Sequence, residues 1–210
     1  MAVGSGPIRA AAGAGTITGG GLPDPAVADI TGRVRSDGDA ALLLNAQWLW
    51  EFVHVQAPQF ADNRFEGEQD WTEGNCPYAG FIDPSKPLNA PGQDPVVTFV
   101  DGDLRVSGDF SGAGLLIVTG EFFCSGRCGY TGLVIVAGSG RITLAGPGQG
   151  IEGAVYVTGL SNSGGEIGFA PPAVSLTGGR ITANPDSVKM ALSLIPVSQI
   201  SFREIAGSDP

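Results

Sequence analysis

Acidic side chains recur in this chain at intervals that could support chemistry. Asp101, Asp103, Asp109 and Glu121 each stand within one residue of a glycine, and two carboxylates held a few ångströms apart can hydrolyse a glycosidic bond or hold Ca²⁺. Asp beside Gly is also ordinary turn composition, because the short carboxylate bonds nearby backbone and Gly supplies positive φ. These four are therefore expected to be turn residues, and the chain is expected not to be an enzyme. The single histidine, His54, allows no His–His metal site and only one possible base for a Ser-His-Asp arrangement. It falls on a polar stripe with Gln47 and Glu51 and is expected to face solvent. PGQGIEG (147–153) has the glycines of a phosphate loop but neither the lysine nor the following helix. No catalytic residue, cofactor site or metal site is expected.

The three cysteines leave alternatives open. CSGRC places Cys124 and Cys128 on either side of a turn, and both are expected to point inward. A disulfide between Cys124 and Cys128, a bridge from Cys76 to either of them, and a pair of buried thiols acting as small hydrophobes all fit. Three cysteines and one distant histidine do not make a zinc site.

The elements that position these residues are written as a repeat. VVTFVDG (96–102), GLLIVTG (114–120), GLVIVAG (132–138) and GAVYVTG (153–159) start 18, 18 and 21 residues apart. DLRVSG (103–108), EFFCSG (121–126) and RITLAG (141–146) form a second set, with VSLTGG (174–179) as a possible fourth member. GDFSGAG (108–114), GRCGYTG (126–132) and GQGIEG (148–153) link the second set back to the first. A period this short predicts a mainly β, three-sided parallel β-solenoid, in which each turn buries its inward side chains only by stacking on the next. The expected core is Leu104, Val106, Leu115, Ile117, Phe122, Leu133, Ile135, Ile142, Leu144 and Tyr156. The first set is apolar at both parities, so its outer face must be covered. A helix over about 40–56, opened by candidate caps at 36–39 and stopped by Pro58, is the expected cover, and Leu49 and Val134 are expected to meet there.

Residues 1–22 predict a flexible Gly/Ala tether and 23–210 a single solenoid domain. Within it, 57–95 is expected to be a long loop, 96–182 the coils and 183–210 a cap of short helix and strand. A net charge of −10 and a pI near 4.3 argue against nucleic acid or an anionic membrane as partner. No run of eighteen apolar residues is present, so membrane contact is expected only through an anchor upstream of this chain.

VTFVDGDLRVSGDFSGAGLLIVTGEFFCSG, GYTGLVIVAGSGRITLAG, IEGAVYV and the closing SFREI resemble the C-terminal ectodomain of PilX-like, type IV pilus-associated proteins. The similarity to the bactofilin β-helix is more distant. The resemblance implies a right-handed β-helix, an upstream transmembrane or pilin-like helix, an extracellular or cell-surface location, and pilus or surface proteins as partners. The expected function is a non-enzymatic structural or adhesive ectodomain. The alternatives are a self-assembling filament scaffold and a carbohydrate-active β-helix enzyme with the loop 57–95 lining a groove beside the acidic turns. Within that loop the expected partner surface is Asn63, Glu66, Glu68 and Asp70, suited to a basic or metal-bridged partner.

Overall fold

The computed structural model describes residues 8–10, 16–18, 45–147 and 150–196. The candidate caps at 36–39 and the expected C-terminal strand fall outside that range.

Each glycine-closed repeat becomes the parallel neighbour of the next. β5 (Val96–Asp101), β7 (Phe110–Val118), β9 (Cys128–Gly138) and β11 (Gly150–Ser163) lie side by side, with Leu115 on Leu133 and Val134 on Val155. β3 (Asn63–Glu66) extends this larger sheet at one end; β14 (Arg180–Ala183) and β2 (Thr16–Thr18) extend it at the other. The second set stacks likewise. β4 (Gln69–Trp71), β6 (Leu104–Val106), β8 (Phe122–Cys124), β10 (Arg141–Leu144), β13 (Ala173–Leu176) and β1 (Ile8–Ala10) form a six-stranded sheet in that order. VSLTGG is thus the fourth member, with Val174 on Ile142. β12 (Glu166–Ala170) folds back antiparallel on β11; every other strand pairing in the two sheets is parallel.

The long strands of the larger sheet share a column of glycine, Gly114 on Gly132 on Gly153. All three have positive φ, and a Cβ on Gly132 would collide with the carbonyl of Gly114. Only glycine allows both the backbone conformation and the approach of one repeat to the next.

Two apolar layers result. The inner one, enclosed by the sheets, contains Leu104, Val106, Phe122, Ile142 and Leu144 together with Leu116, Val118, Val134 and Val136. Phe65, Trp71, Phe110 and Tyr130 form a row of ring contacts through it, with successive centroids 5.4, 5.2 and 6.2 Å apart. The outer layer joins Leu115, Ile117, Leu133 and Ile135 to Leu49, Phe52, Val53 and Ala57 of the helical segment. The expected core therefore mixes two layers: Leu115, Ile117, Leu133, Ile135 and Tyr156 belong to the outer one, and Val134 faces inward, away from Leu49. Where both parities are apolar, alternation cannot choose a face, and a shift of one residue exchanges them.

The covering helix starts later and ends later than expected. Asn45 caps it, its side chain accepting the Trp48 N–H at 3.0 Å, and α1 (Ala46–Glu51) passes through a π-helical segment (Phe52–Gln56) into α2 (Ala57–Phe60). Pro58 does not stop it. A proline lacks the N–H of the ordinary helical bond and crowds the carbonyl four residues back; here the Ala57 N–H bonds the Phe52 carbonyl, five residues back, so the helix has already widened before Pro58 arrives. The Gln59 side chain then donates to the Val55 carbonyl at 2.9 Å.

Two further expectations change. Within the expected tether, Ile8–Ala10 and Thr16–Thr18 are strands that close one end of the stack. Within the expected loop, Asn63–Glu66 and Gln69–Trp71 form a rung at the other end, pairing with β5 and β6. Ala79 bridges to Gly112. α3 (Pro185–Ser193), capped by Asn184, packs against β7, β9 and β11 and buries Ala191 in the outer layer.

Candidate functional site

The carboxylates of the turns are joined to the next repeat. Asp101 accepts from the Thr119 hydroxyl at 3.0 Å, Asp103 from the Glu121 N–H at 2.8 Å, and Asp109 from the Arg127 guanidinium at 2.9 Å, each partner lying 18 residues on. Arg127 holds the Asp109 carboxyl below the usual carboxylate range. Bonds at the repeat spacing make these groups staples between rungs, and in this arrangement their oxygens serve the stack.

His54 is only half buried, yet its Nε2 is enclosed without a hydrogen-bond partner and its ring packs on Trp50 at 3.9 Å. It does not face solvent as a free polar group. The polar stripe that suggested so turns at the π segment, which rotates the residues after Phe52 relative to those before it. Burial lowers its pKa, opposed by the charge of Asp101. Between the lowered folded value and the unfolded value near pH 6.5 the unfolded chain binds more protons, so stability falls as pH drops through that window. We expect the Tm to fall from pH 7.5 to 5.5 and His54→Phe, which cannot titrate, to flatten that fall. Equal slopes in the two proteins would contradict it. Asp109 and Asp83, whose pKa values are lowered, add their own losses only at more acidic pH.

Cys124 and Cys128 form a disulfide with Cα atoms 6.6 Å apart, stacked on Val106 and Phe110 inside the inner layer. Cys76 is free; burial, and then the charge of Asp109, push its thiol pKa up. A loop this short gives a modest entropic gain. Replacing both Cys124 and Cys128 by Ala should lower the unfolding free energy by about 2 kcal/mol, measurable by urea denaturation. A loss of the whole transition would assign the bridge a larger role.

The proposed partner residues sit on the rung at the end of the stack. Glu66 pairs with Arg64 at 3.0 Å and Glu68 with Arg105 at 2.9 Å. Asn63 donates to the Tyr78 carbonyl at 2.9 Å, and Asp70, exposed, is registered against Arg105.

A groove of about 1020 Å³ lies elsewhere, between the loop 80–95 and α3. Its floor comes from the first halves of β7, β9 and β11, including Ser111, Gly112, Gly129 and Thr131. Phe81, half exposed, stands on one wall; Asn184, Asp186 and Lys189 stand on the other, with Glu152 between. Asn184 Nδ2 donates to Glu152 Oε1 at 2.7 Å while Asn184 Oδ1 accepts the Asp186 and Ser187 N–H groups. Lys189 pairs with Asp186 at 3.5 Å, and Lys86 with Asp83 at 3.2 Å. The hydroxyls of Tyr130 and Ser187, both groove-lining residues, are buried without hydrogen-bond partners. Burial pushes the Tyr130 pKa up.

No family model, curated protein or solved structure matches the chain. Its own geometry therefore carries the functional argument. Among the described residues no cluster of three or more His, Cys, Asp and Glu could hold a metal ion, and no helix is long and apolar enough to cross a membrane. Sequence reasoning missed the groove because its parts are remote in the chain. The one local signal was Asn184-Pro185-Asp186, a helix cap whose side chain also reaches Glu152.

Proposed function

We propose that this chain is a non-enzymatic structural domain of a bacterial cell surface or type IV pilus, built as a right-handed, three-sided β-helix. The single observation behind it is that the chain's acidic turns are bonded to the next repeat at a constant spacing of 18 residues. Carboxylates used this way stiffen a body. In this reading the three sides are the two sheets and the first halves of β7, β9 and β11, set off from their second halves by the column of positive-φ glycines. The disulfide suits an oxidising compartment, and the resemblance of 95–205 to PilX-like ectodomains supports the pilus. Immunogold labelling of the source organism with antibody to this domain should decorate pili or the outer surface; label confined to the cytoplasm would overturn the reading.

A second reading, the filament scaffold, is favoured by one observation: β3 and β4 end both sheets at the same end of the stack, each with one edge unpaired among the described residues. Charged Arg64, Glu66 and Asp70 on those strands, and Glu68 between them, oppose such growth. Electron microscopy of the purified chain separates the two, since filaments would favour the scaffold.

A further inference from the structure

We propose that the groove between Phe81 and α3 binds a neutral oligosaccharide. The proposal stands whether or not the domain is displayed on a pilus. A volume of about 1020 Å³ lies at the top of the range for ligand sites, about 300–1,000 Å³, and so fits an extended occupant. The chemistry of the lining points to sugar. Both groove lysines are neutralised by acidic neighbours, Lys86 by Asp83 and Lys189 by Asp186, so nothing there selects an anionic polymer, and the net charge of −10 repels one.

An apolar ligand would meet hydroxyls, an amide and a carboxylate. An extended peptide would need an open strand edge to pair with, yet β9 is paired on both sides where it forms the floor, β11 lies between β9 and β14, and the outer side of β7 is met there by Ala79, which bridges to Gly112.

Ser111, Gly112, Gly129 and Thr131 make a shallow polar floor. Phe81 offers a half-exposed ring to the C–H face of a pyranose, and the joined Glu152 carboxylate and Asn184 amide match a vicinal diol. The independent sign is an orphaned hydroxyl. Ser187 is wholly buried at the groove wall, and an unpaired buried hydroxyl costs about 1–3 kcal/mol. A sugar hydroxyl seated in the groove supplies the missing partner, after a small movement of the lining that now covers that oxygen.

The test is calorimetric titration of the whole chain with cellohexaose, maltohexaose, laminarihexaose, mannohexaose and chitohexaose. A hexagalacturonate and an uncharged polar decapeptide serve as comparison arms. At least one neutral hexasaccharide should bind. Phe81→Ala and Glu152→Gln should each weaken it about tenfold, while Asp103→Asn, outside the groove, should leave the affinity unchanged. Ser187→Ala should weaken binding without lowering the Tm of the free protein, a combination that a purely structural serine would not give. Glu152→Gln keeps shape and fold, so the result is readable even if Phe81→Ala destabilises. No binding across the neutral panel, binding of the peptide or the hexagalacturonate alone, or binding indifferent to both Phe81→Ala and Glu152→Gln would overturn the proposal.

Discussion

Val134→Asp is expected to abolish the folded domain at room temperature. Val134 is fully buried in the inner layer, registered between Leu116 and Val155 in the middle of the larger sheet, with Val118 and Val136 in the same layer. The substitution removes an apolar side chain worth about 1.5–3 kcal/mol of burial. It also buries a carboxylate with no cation beside it, and an uncompensated buried charge costs about 3–5 kcal/mol. The sum rivals the 5–15 kcal/mol by which ordinary domains are stable. Leu49→Asp should be milder, because the outer layer can open by lifting one helix. Circular dichroism and urea unfolding check the order: Leu49→Asp more damaging than Val134→Asp would mean that the two layers have been assigned the wrong way round.

Deletion of residues 62–75 is expected to be nearly as severe. The segment carries the rung at the end of the stack: Asp62 exchanges bonds with Val97 through backbone and carboxylate, Gly67 and Gln69 donate to Asp101 and Asp103, and Trp71 accepts from Ser107. Trp71 is buried, and its ring packs on Phe110 at 5.2 Å. Truncating a buried aromatic alone costs about 3–5 kcal/mol, and the deletion also leaves the backbone of β5 and β6 unpaired on one side. A sequence-only view of 57–95 as a loop predicts the opposite, an unchanged Tm. Thermal melts of the deletion protein decide it. The charges on this rung are better tested as a contact surface by Glu66→Ala, Glu68→Ala and Asp70→Ala together, which keep the strands.

Much of the stack was legible in the chain itself, because glycine at each turn fixes where a repeat ends, and an 18-residue interval fixes which residue lies over which. Leu104 over Phe122 and Val106 over Cys124 follow directly. The face of each strand in the first set was not legible, since Leu115 and Leu116 are equally apolar. The rung at 63–71 was hidden for another reason: NRFE does close on Gly67, as VVTFVDG closes on Gly102, but its interior is charged, QDW has no such glycine, and Asn63 lies 35 residues before its partner Thr98, outside the 18-residue interval. The π segment was hidden because its cause, Pro58, reads locally as a stop. The groove needed Phe81, Glu152 and Ser187 to meet, and no local pattern announces a meeting between residues so far apart.

The end of the stack formed by β1 and β2 sets an order on biosynthesis. Between β5 and β9 every rung pairs with the repeat 18 residues away, so each can close soon after it leaves the ribosome, at a loop entropy that hardly changes from one rung to the next. Ile8–Ala10 pairs with Val174–Leu176, and Thr16–Thr18 pairs with Arg180–Thr182. Of the described strands, these two are made before the rest and are the last that can dock. β1 has no partner edge until translation passes Leu176, and β2 none until it passes Thr182, so the growing chain must carry both unpaired past every rung that folds before them.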